Sequence, residues 1–231
     1  MLVGSLVACG GSGDSGGGDS QVPVFGEVVI TDVPVAFALA TCSYAYRCCT
    51  DPEINLPYVS SGAPVTTEAA CDTANAASAQ MYTLPRLLAG LAAGRMIFDA
   101  AAAGRCANEI ANLPCGGPAA NVARTCEPFI IPLVAAGSGC ILNEECVSGN
   151  CDQRGVTNAN DDGVCSTPPT AGMPCSSVCA AGLSCELGGS GNACAPVAAP
   201  GEACTDGTAC DTGACDTGAS YVCIETCTGR H

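Results

Sequence analysis

The 231-residue sequence has no tryptophan, no lysine and a single histidine, His231, and its aromatic side chains amount to five tyrosines and four phenylalanines. Aromatic rings supply much of the area that a core buries, so a chain this long with so few of them cannot build an ordinary enzyme interior. The 48% of hydrophobic residues leans on Ala and Cys, and at roughly 25 cal/mol per Å² of buried apolar surface such small side chains give a thin core. Without lysine, seven basic residues, all Arg, face 22 acidic ones; the formal charge of −15 speaks against a surface for nucleic acid or anionic lipid. A histidine confined to the last position leaves no His-based zinc site and no His-containing triad. No apolar run approaches the ~18 to 20 residues of a membrane span.

What the chain does have is cysteine, 21 of them, with 29 glycines and 15 prolines. A cysteine density of this order marks a disulfide scaffold, and disulfides persist in oxidising compartments. Export and extensive crosslinking are therefore expected. The fold class predicted is small and disulfide-rich: a crosslinked α-helical N-terminal domain followed by three short, irregular β-hairpin repeats.

The first residues, Leu6-Val7-Ala8-Cys9-Gly10, resemble the lipobox of bacterial lipoproteins, an apolar run and small residues before an obligatory Cys. The resemblance implies that Cys9 carries a diacylglycerol and becomes an acylated N-terminus. Two or more acyl chains hold a protein stably on a membrane without a spanning helix. Gly10 in place of Asp implies the outer membrane or cell surface. Residues 1–9 form only part of a signal peptide, with no basic region ahead of the apolar run, so a start upstream of Met1 is expected. Residues 10–30 follow as a tether, Gly/Ser-rich from Gly10 to Ser20, which would lift the rest of the protein off the lipid.

Residues 31–135 read as helical. Asp32 and Pro34 predict an N-cap and first-turn proline for a helix running through Cys42, Cys48 and Cys49. Asp51 to Ala63 reads as a loop, and Thr66 as the cap of a helix carrying Cys71 and Met81. Pro85 starts another helix with Leu84, Leu87, Leu88 and Leu91 in a stripe that Gly94 ends. Asp99 caps a helix with Ala103, Cys106, Ala107, Ile110 and Leu113 on one face, stopped near Cys115. Pro118 opens a last short helix with Val122 and Cys126.

Beyond residue 136 the pattern changes to an internal repeat. Cys140, Cys146, Cys151 and Cys165 form one group of four, Cys175, Cys179, Cys185 and Cys194 a second, and Cys204, Cys210, Cys215 and Cys223 a third. Gly137, Gly172 and Gly201 each stand three residues before the first Cys of a group. The filling of Gly, Asp, Asn, Ser and Thr favours turns, so each unit is expected to be short hairpins held by two disulfides. The repeats occupy about 137–165, 172–194 and 201–227. No apolar pattern bridges the Gly-rich boundary at 136–139, so the two regions are expected to be separable.

The spacings Gly-x-x-Cys, Cys146-Val147-Ser148-Gly149-Asn150-Cys151 and Cys179-Ala180-Ala181-Gly182-Leu183-Ser184-Cys185 resemble the Dickkopf N-terminal cysteine-rich repeats found in secreted proteins of myxobacteria and their relatives. In those proteins a helical domain often precedes the repeats, with a Cys-Cys pair and a Gly-Arg-x-x-x-Asp segment. Cys48-Cys49 and Gly94-Arg95-Met96-Ile97-Phe98-Asp99 match these, as do the single cysteines Cys106, Cys115 and Cys126. The resemblance spans about residues 37–227 and implies an architecture rather than an activity.

Other chemistries fit less well. Asp211-Thr212-Gly213 and Asp216-Thr217-Gly218 match the triplet of aspartic proteases, but they lie five residues apart, each directly after a Cys, where turns are expected. Asn158 to Gly163 copies the first half of an EF-hand loop, yet Pro169 stands where the bidentate Glu is needed. Metal-thiolate clusters and thiol redox catalysis favour closely spaced cysteines, and the chain has neither Cys-x-Cys nor Cys-x-x-Cys. Cys48 and Cys49 are expected to be half-cystines with different partners.

No cofactor, metal or catalytic residue is therefore expected. The function predicted is a non-enzymatic surface lipoprotein, a structural or protein-binding module of the envelope or extracellular matrix. Its partners would be an extracellular protein or matrix component and the lipid that anchors it. The alternative is a secreted, disulfide-rich inhibitor or receptor-binding ligand presenting the loop from Asp152 to Val164. Setting Cys9 aside leaves 20 cysteines, all expected to be paired. The helical region holds an odd seven and Cys227 is left over at the far end, so the odd helical cysteine bonds to Cys227, to a displaced repeat cysteine or to another molecule; the bridge to Cys227 is favoured.

Overall fold

The computed structural model describes residues 22–50, 65–115, 126–153, 163–175, 178–186, 192–199, 201–204 and 210, and the backbone of 213–215 and 223–225. Four α-helices lead: α1 (Val33–Cys48), α2 (Glu68–Tyr82), α3 (Leu84–Ala92) and α4 (Ala100–Ala111). Pro34 lies in the first turn of α1, where a missing N–H costs no hydrogen bond. Asp32 does not cap that helix as expected. A 3-10 turn over Ile30–Asp32 runs straight into α1, so Asp32 already has φ −97° and ψ −9° and its carboxylate accepts no helix N–H. The cap of α2 falls one residue after Thr66, at Thr67, whose Oγ1 accepts from the Ala70 N–H at 3.2 Å. Asp99 caps α4 as predicted, accepting from Ala102 at 2.9 Å.

The expected stripe on α4 is buried at Ala103, Cys106, Ala107 and Ile110. On α3 only Leu87 and Gly90 are buried, and Leu88 is exposed, so the four-leucine face is narrower than expected. The all-helical expectation also missed a two-stranded sheet, because three-residue strands carry too short an alternation to register. Strand β1 (Met96–Phe98) pairs antiparallel with β2 (Ile130–Pro132), Ile97 opposite Ile131. The loop expected at Asp51 to Ala63 and the start of the helix expected from Pro118 lie outside the described residues.

Residues 22–29, expected to belong to the tether, pack against the helices instead. Residues 22–29 run extended along α4 and bring Phe25 and Val28 into the interior. Asn108 holds this segment at both backbone groups of Phe25: its Oδ1 accepts from Phe25 N at 2.8 Å and its Nδ2 donates to Phe25 O at 2.7 Å. Val28 N donates to Ala100 O at 3.0 Å. The crossing is so close that the Gly26 carbonyl occupies the place a side chain at position 104 would need. Gly104 is thus a packing requirement inside a helix that otherwise favours alanine.

All four phenylalanines gather here. Phe25, Phe37, Phe98 and Phe129 pack around Val28, Val33, Ala36 and Ala103, with the Phe37 and Phe129 ring centroids 5.0 Å apart. Elsewhere the interior is small: Ile110 is the one large apolar side chain among the largest fully buried residues described, and the others are Glu145 and eight cysteines. Cys42–Cys71 joins α1 to α2, Cys48–Cys115 ties the end of α1 to the exit of α4, and Cys106–Cys126 fastens α4 to the chain entering β2. Beside the second bridge, Arg47 Nη2 donates to the carbonyls of Ala111 and Leu113 at 2.8 and 2.9 Å, closing the carbonyl end of α4 with a cation as the helix dipole favours.

The repeats follow as hairpins. Strands β3 (Gly139–Cys140), β4 (Cys151–Asp152) and β5 (Gly163–Cys165) form one antiparallel sheet in the order β3-β5-β4. Strands β6 (Leu183–Glu186) and β7 (Ala193–Pro196) form the second hairpin, and β8 (Gly213–Cys215) and β9 (Cys223–Glu225) the third. Replacement of Gly104 by Ala forces the N-terminal segment away from α4. Gly104→Ala should lower stability by about 1 to 3 kcal/mol, read by guanidinium unfolding with the disulfides intact; an unchanged midpoint would contradict the crossing.

Candidate functional site

The repeats are built on one plan. Cys140–Cys151 and Cys146–Cys165 pair first with third and second with fourth in the first repeat, and Cys175–Cys185 with Cys179–Cys194 do the same in the second. The third and fourth cysteines face each other across the hairpin in every repeat: Cys151 opposite Cys165, Cys185 opposite Cys194, Cys215 opposite Cys223. Gly137, Gly172 and Gly201 have φ of 85°, 76° and 82°, a region that a side chain disfavours. The turn this permits lets Gly137 N donate to Cys165 O and Gly172 N to Cys194 O, both at 2.8 Å. In the first two repeats the glycine three residues ahead of the group therefore closes the repeat on its last cysteine.

The first repeat packs against the end of the preceding helical region. Val134 packs on the four cysteines of that repeat, pairs with Cys146 in a parallel bridge, and donates from its N–H to Glu145 O at 2.8 Å. A 3-10 turn over Asn143–Glu145 turns the Glu145 side chain inward, where it is 1% exposed. Its Oε2 accepts from Ile141 N at 2.8 Å and from Arg95 Nη1 at 3.4 Å. Arg86 Nη2 and Gln153 Nε2 both donate to Ile141 O, at 2.9 and 2.7 Å. Gly90 leaves room for this seam: a Cβ there would meet the tips of two side chains, Met96 Cε at 2.7 Å and Glu145 Oε1 at 3.0 Å. A buried carboxylate costs several kcal/mol unless it is hydrogen-bonded and paired, so Glu145 holds the repeat in one register against α3 and β1.

Two cavities flank the seam. One, of about 390 Å³, is walled mainly by apolar side chains, Phe37, Leu84, Leu87, Phe129 and Ile130 among them, with Thr41 and Asn75 as polar members. The other, of about 330 Å³, is polar, with Arg86, Asn143, Glu144 and Gln153 in its wall. Thr83, Leu87 and Glu144 belong to both. Such a cleft can receive an apolar group beside a polar one. No hydroxyl or thiol in either wall has a histidine or a second carboxylate set to activate it among the described residues.

The sulfurs of Cys140, Cys146 and Cys151 lie within metal-ligating distance of one another, as do those of Cys175, Cys179 and Cys194. All six are in disulfides, and a bridged sulfur is not the thiolate that a soft metal needs. Cys48 and Cys49 have different partners, as expected: Cys48 bonds Cys115, and Cys49 is in another disulfide. Cys204 and Cys210 are buried and disulfide-bonded. Cys9, Cys227, His231, most of the Asn158 to Gly163 segment and both acids of the Asp-Thr-Gly triplets lie outside the described residues, and of Cys215 and Cys223 only the backbone is described. Among the described residues no helix is long and apolar enough to cross a membrane.

In the sequence, Glu145 is marked only by the Glu144-Glu145 pair beside Cys146, and Arg95 only by its place in Gly94-Arg95-Met96-Ile97-Phe98-Asp99. No family model, curated protein or solved structure matches the chain.

Among the described residues one acid, outside the seam, is perturbed. Asp72 in α2 is raised to about 6 by burial and, secondarily, by Glu68 one turn earlier; its Oδ1 is buried without a hydrogen-bond partner. Between about pH 4 and 6 the folded state holds a proton that the unfolded chain has released, so this group's contribution falls as pH rises through that window. Asp72→Asn should therefore raise stability at pH 7 and lose that advantage by pH 4, read from unfolding midpoints; an advantage equal at both pH values would contradict the assignment.

Proposed function

We propose that the chain is a non-enzymatic lipoprotein of the cell surface, a structural or protein-binding module held on the outer membrane through Cys9. The observation that carries this reading is the common plan of the first two repeats, in which paired disulfides and a positive-φ glycine fix the hairpin with almost no apolar interior. Residues at the hairpin ends are then released from core packing and can vary to suit a partner. Seating of the first repeat on the helices through Glu145 and Val134 supports a rigid display over a flexible string. The likeness to Dickkopf-type repeats bears on architecture alone, and the acidic surface favours a protein or matrix partner over nucleic acid.

Anchoring is tested on a form expressed with a complete signal peptide. It should incorporate labelled palmitate and partition into detergent, and Cys9→Ser should abolish both. Label that survives the substitution, or protein recovered free in the medium, would overturn the anchored reading; the latter favours a diffusible inhibitor or receptor ligand. Crosslinking of the anchored protein in the intact envelope, followed by mass analysis, then identifies the partner.

A further inference from the structure

The seam between the helices and the first repeat uses one carboxylate and leaves its neighbour idle. Glu145 is buried and bonded to Ile141 and Arg95, which fixes the 3-10 turn Asn143–Glu145 on which Glu144 stands exposed. Among the described residues Glu144 makes no ion pair, although Arg86 shares the wall of the polar cavity with it. Arg86 gives Nη2 to Ile141 O, as Gln153 gives Nε2, and each keeps further N–H groups to donate. One cavity wall thus holds an anion and a cation that are not bonded to each other.

The apolar cavity decides what accompanies the charge. Glu144 walls it too, and no cation does. The Phe37 and Phe129 rings, tilted by 44° at 5.0 Å, and Leu84 and Leu87 enclose about 390 Å³, which suits a large aliphatic or aromatic side chain. Thr83 precedes α3 without capping it, which leaves its hydroxyl as a second acceptor in the wall that both cavities share. Two acceptors beside an apolar hollow fit an ammonium on an apolar body, and the donors of Arg86 and Gln153 fit carbonyl oxygens next to it. At about 330 Å³ the polar cavity holds far more than the carboxylate of a free amino acid. The net charge of −15 gathers cations at the surface.

We infer that the two cavities together take the N-terminal residue of a peptide. Its ammonium binds Glu144 and Thr83, its large apolar side chain enters against Phe37 and Phe129, and the carbonyl that follows accepts from Arg86. This extends the protein-binding reading and rests on it for the choice of a peptide over a free amine. The site lies at the seam and makes no use of Cys9.

The test is calorimetric titration of the full, oxidised and unlipidated chain with phenylalanyl-alanine amide. Saturable binding at one site is expected, weakening as salt is added because Glu144 is exposed. The N-acetylated dipeptide amide, which lacks the ammonium, and glycyl-alanine amide, which lacks the side chain, should each bind at least tenfold more weakly. Glu144→Gln should cost about tenfold, with an unchanged circular-dichroism spectrum. Absence of saturable binding, equal binding of the acetylated peptide, or full affinity in Glu144→Gln would overturn the inference. Phenylalanine amide binding as tightly as the dipeptide would overturn the peptide in favour of a free amine. Loss of palmitate labelling with this titration intact would overturn the anchor alone.

Discussion

The bridges of the repeats close loops of 10 to 19 residues, and the order of the hairpins depends on that closure. In the chain-entropy account each loop of this size removes roughly 3 kcal/mol of freedom from the unfolded state. The apolar contribution it replaces is small. The interior of the first repeat is its four cysteines with Val134 beside them, and that described in the third is two cysteines and an alanine. Strands of two to four residues have no independent stability as isolated hairpins. The helical part draws on both sources: four phenylalanines collect in one cluster, Cys42, Cys48, Cys49 and Cys71 in another, and the Cys106–Cys126 bridge packs beside Phe25, Phe37 and Phe129.

Crosslinks hold only if the chain can bring the right sulfurs together, and glycine does that. In the first two repeats, positive φ at the glycine three residues before the group turns the backbone so that its N–H reaches the carbonyl of the last cysteine. The third and fourth cysteines then stand opposite each other on the hairpin, free to bond outward to the first and second. At the seam the same economy appears with a charge. Glu145 takes the place of a large apolar knob, and its hydrogen bonds to Ile141 and Arg95 make the contact specific in a way that methyl groups would not.

Composition and spacing carried much of this. The small, disulfide-rich class, helices ahead of hairpins, the Asp99 cap, the α4 stripe and two bridges within each of the first two groups were legible, because each follows from local periodicity or cysteine count. Pairing order was not legible, since four cysteines allow three arrangements and the hairpin register decides among them. The strands β1 and β2 escaped because each is three residues long and they pair across more than thirty positions. The packing of residues 22–29 escaped as well, since its cause is a gap on another element, at Gly104. Of the candidate site, the cysteines were legible as a class, but the seam depends on where two distant residues, Arg95 and Glu145, meet.

The central claim is that disulfides, rather than burial, hold the repeats. Reduction under native conditions, with no denaturant, followed by amide hydrogen exchange tests it directly. The account predicts that Cys165 and Cys194, whose N–H groups donate to Ser138 O and Met173 O at 2.9 Å each, lose their protection once the bridges are open. Protection that persists at both amides in the fully reduced protein would contradict it.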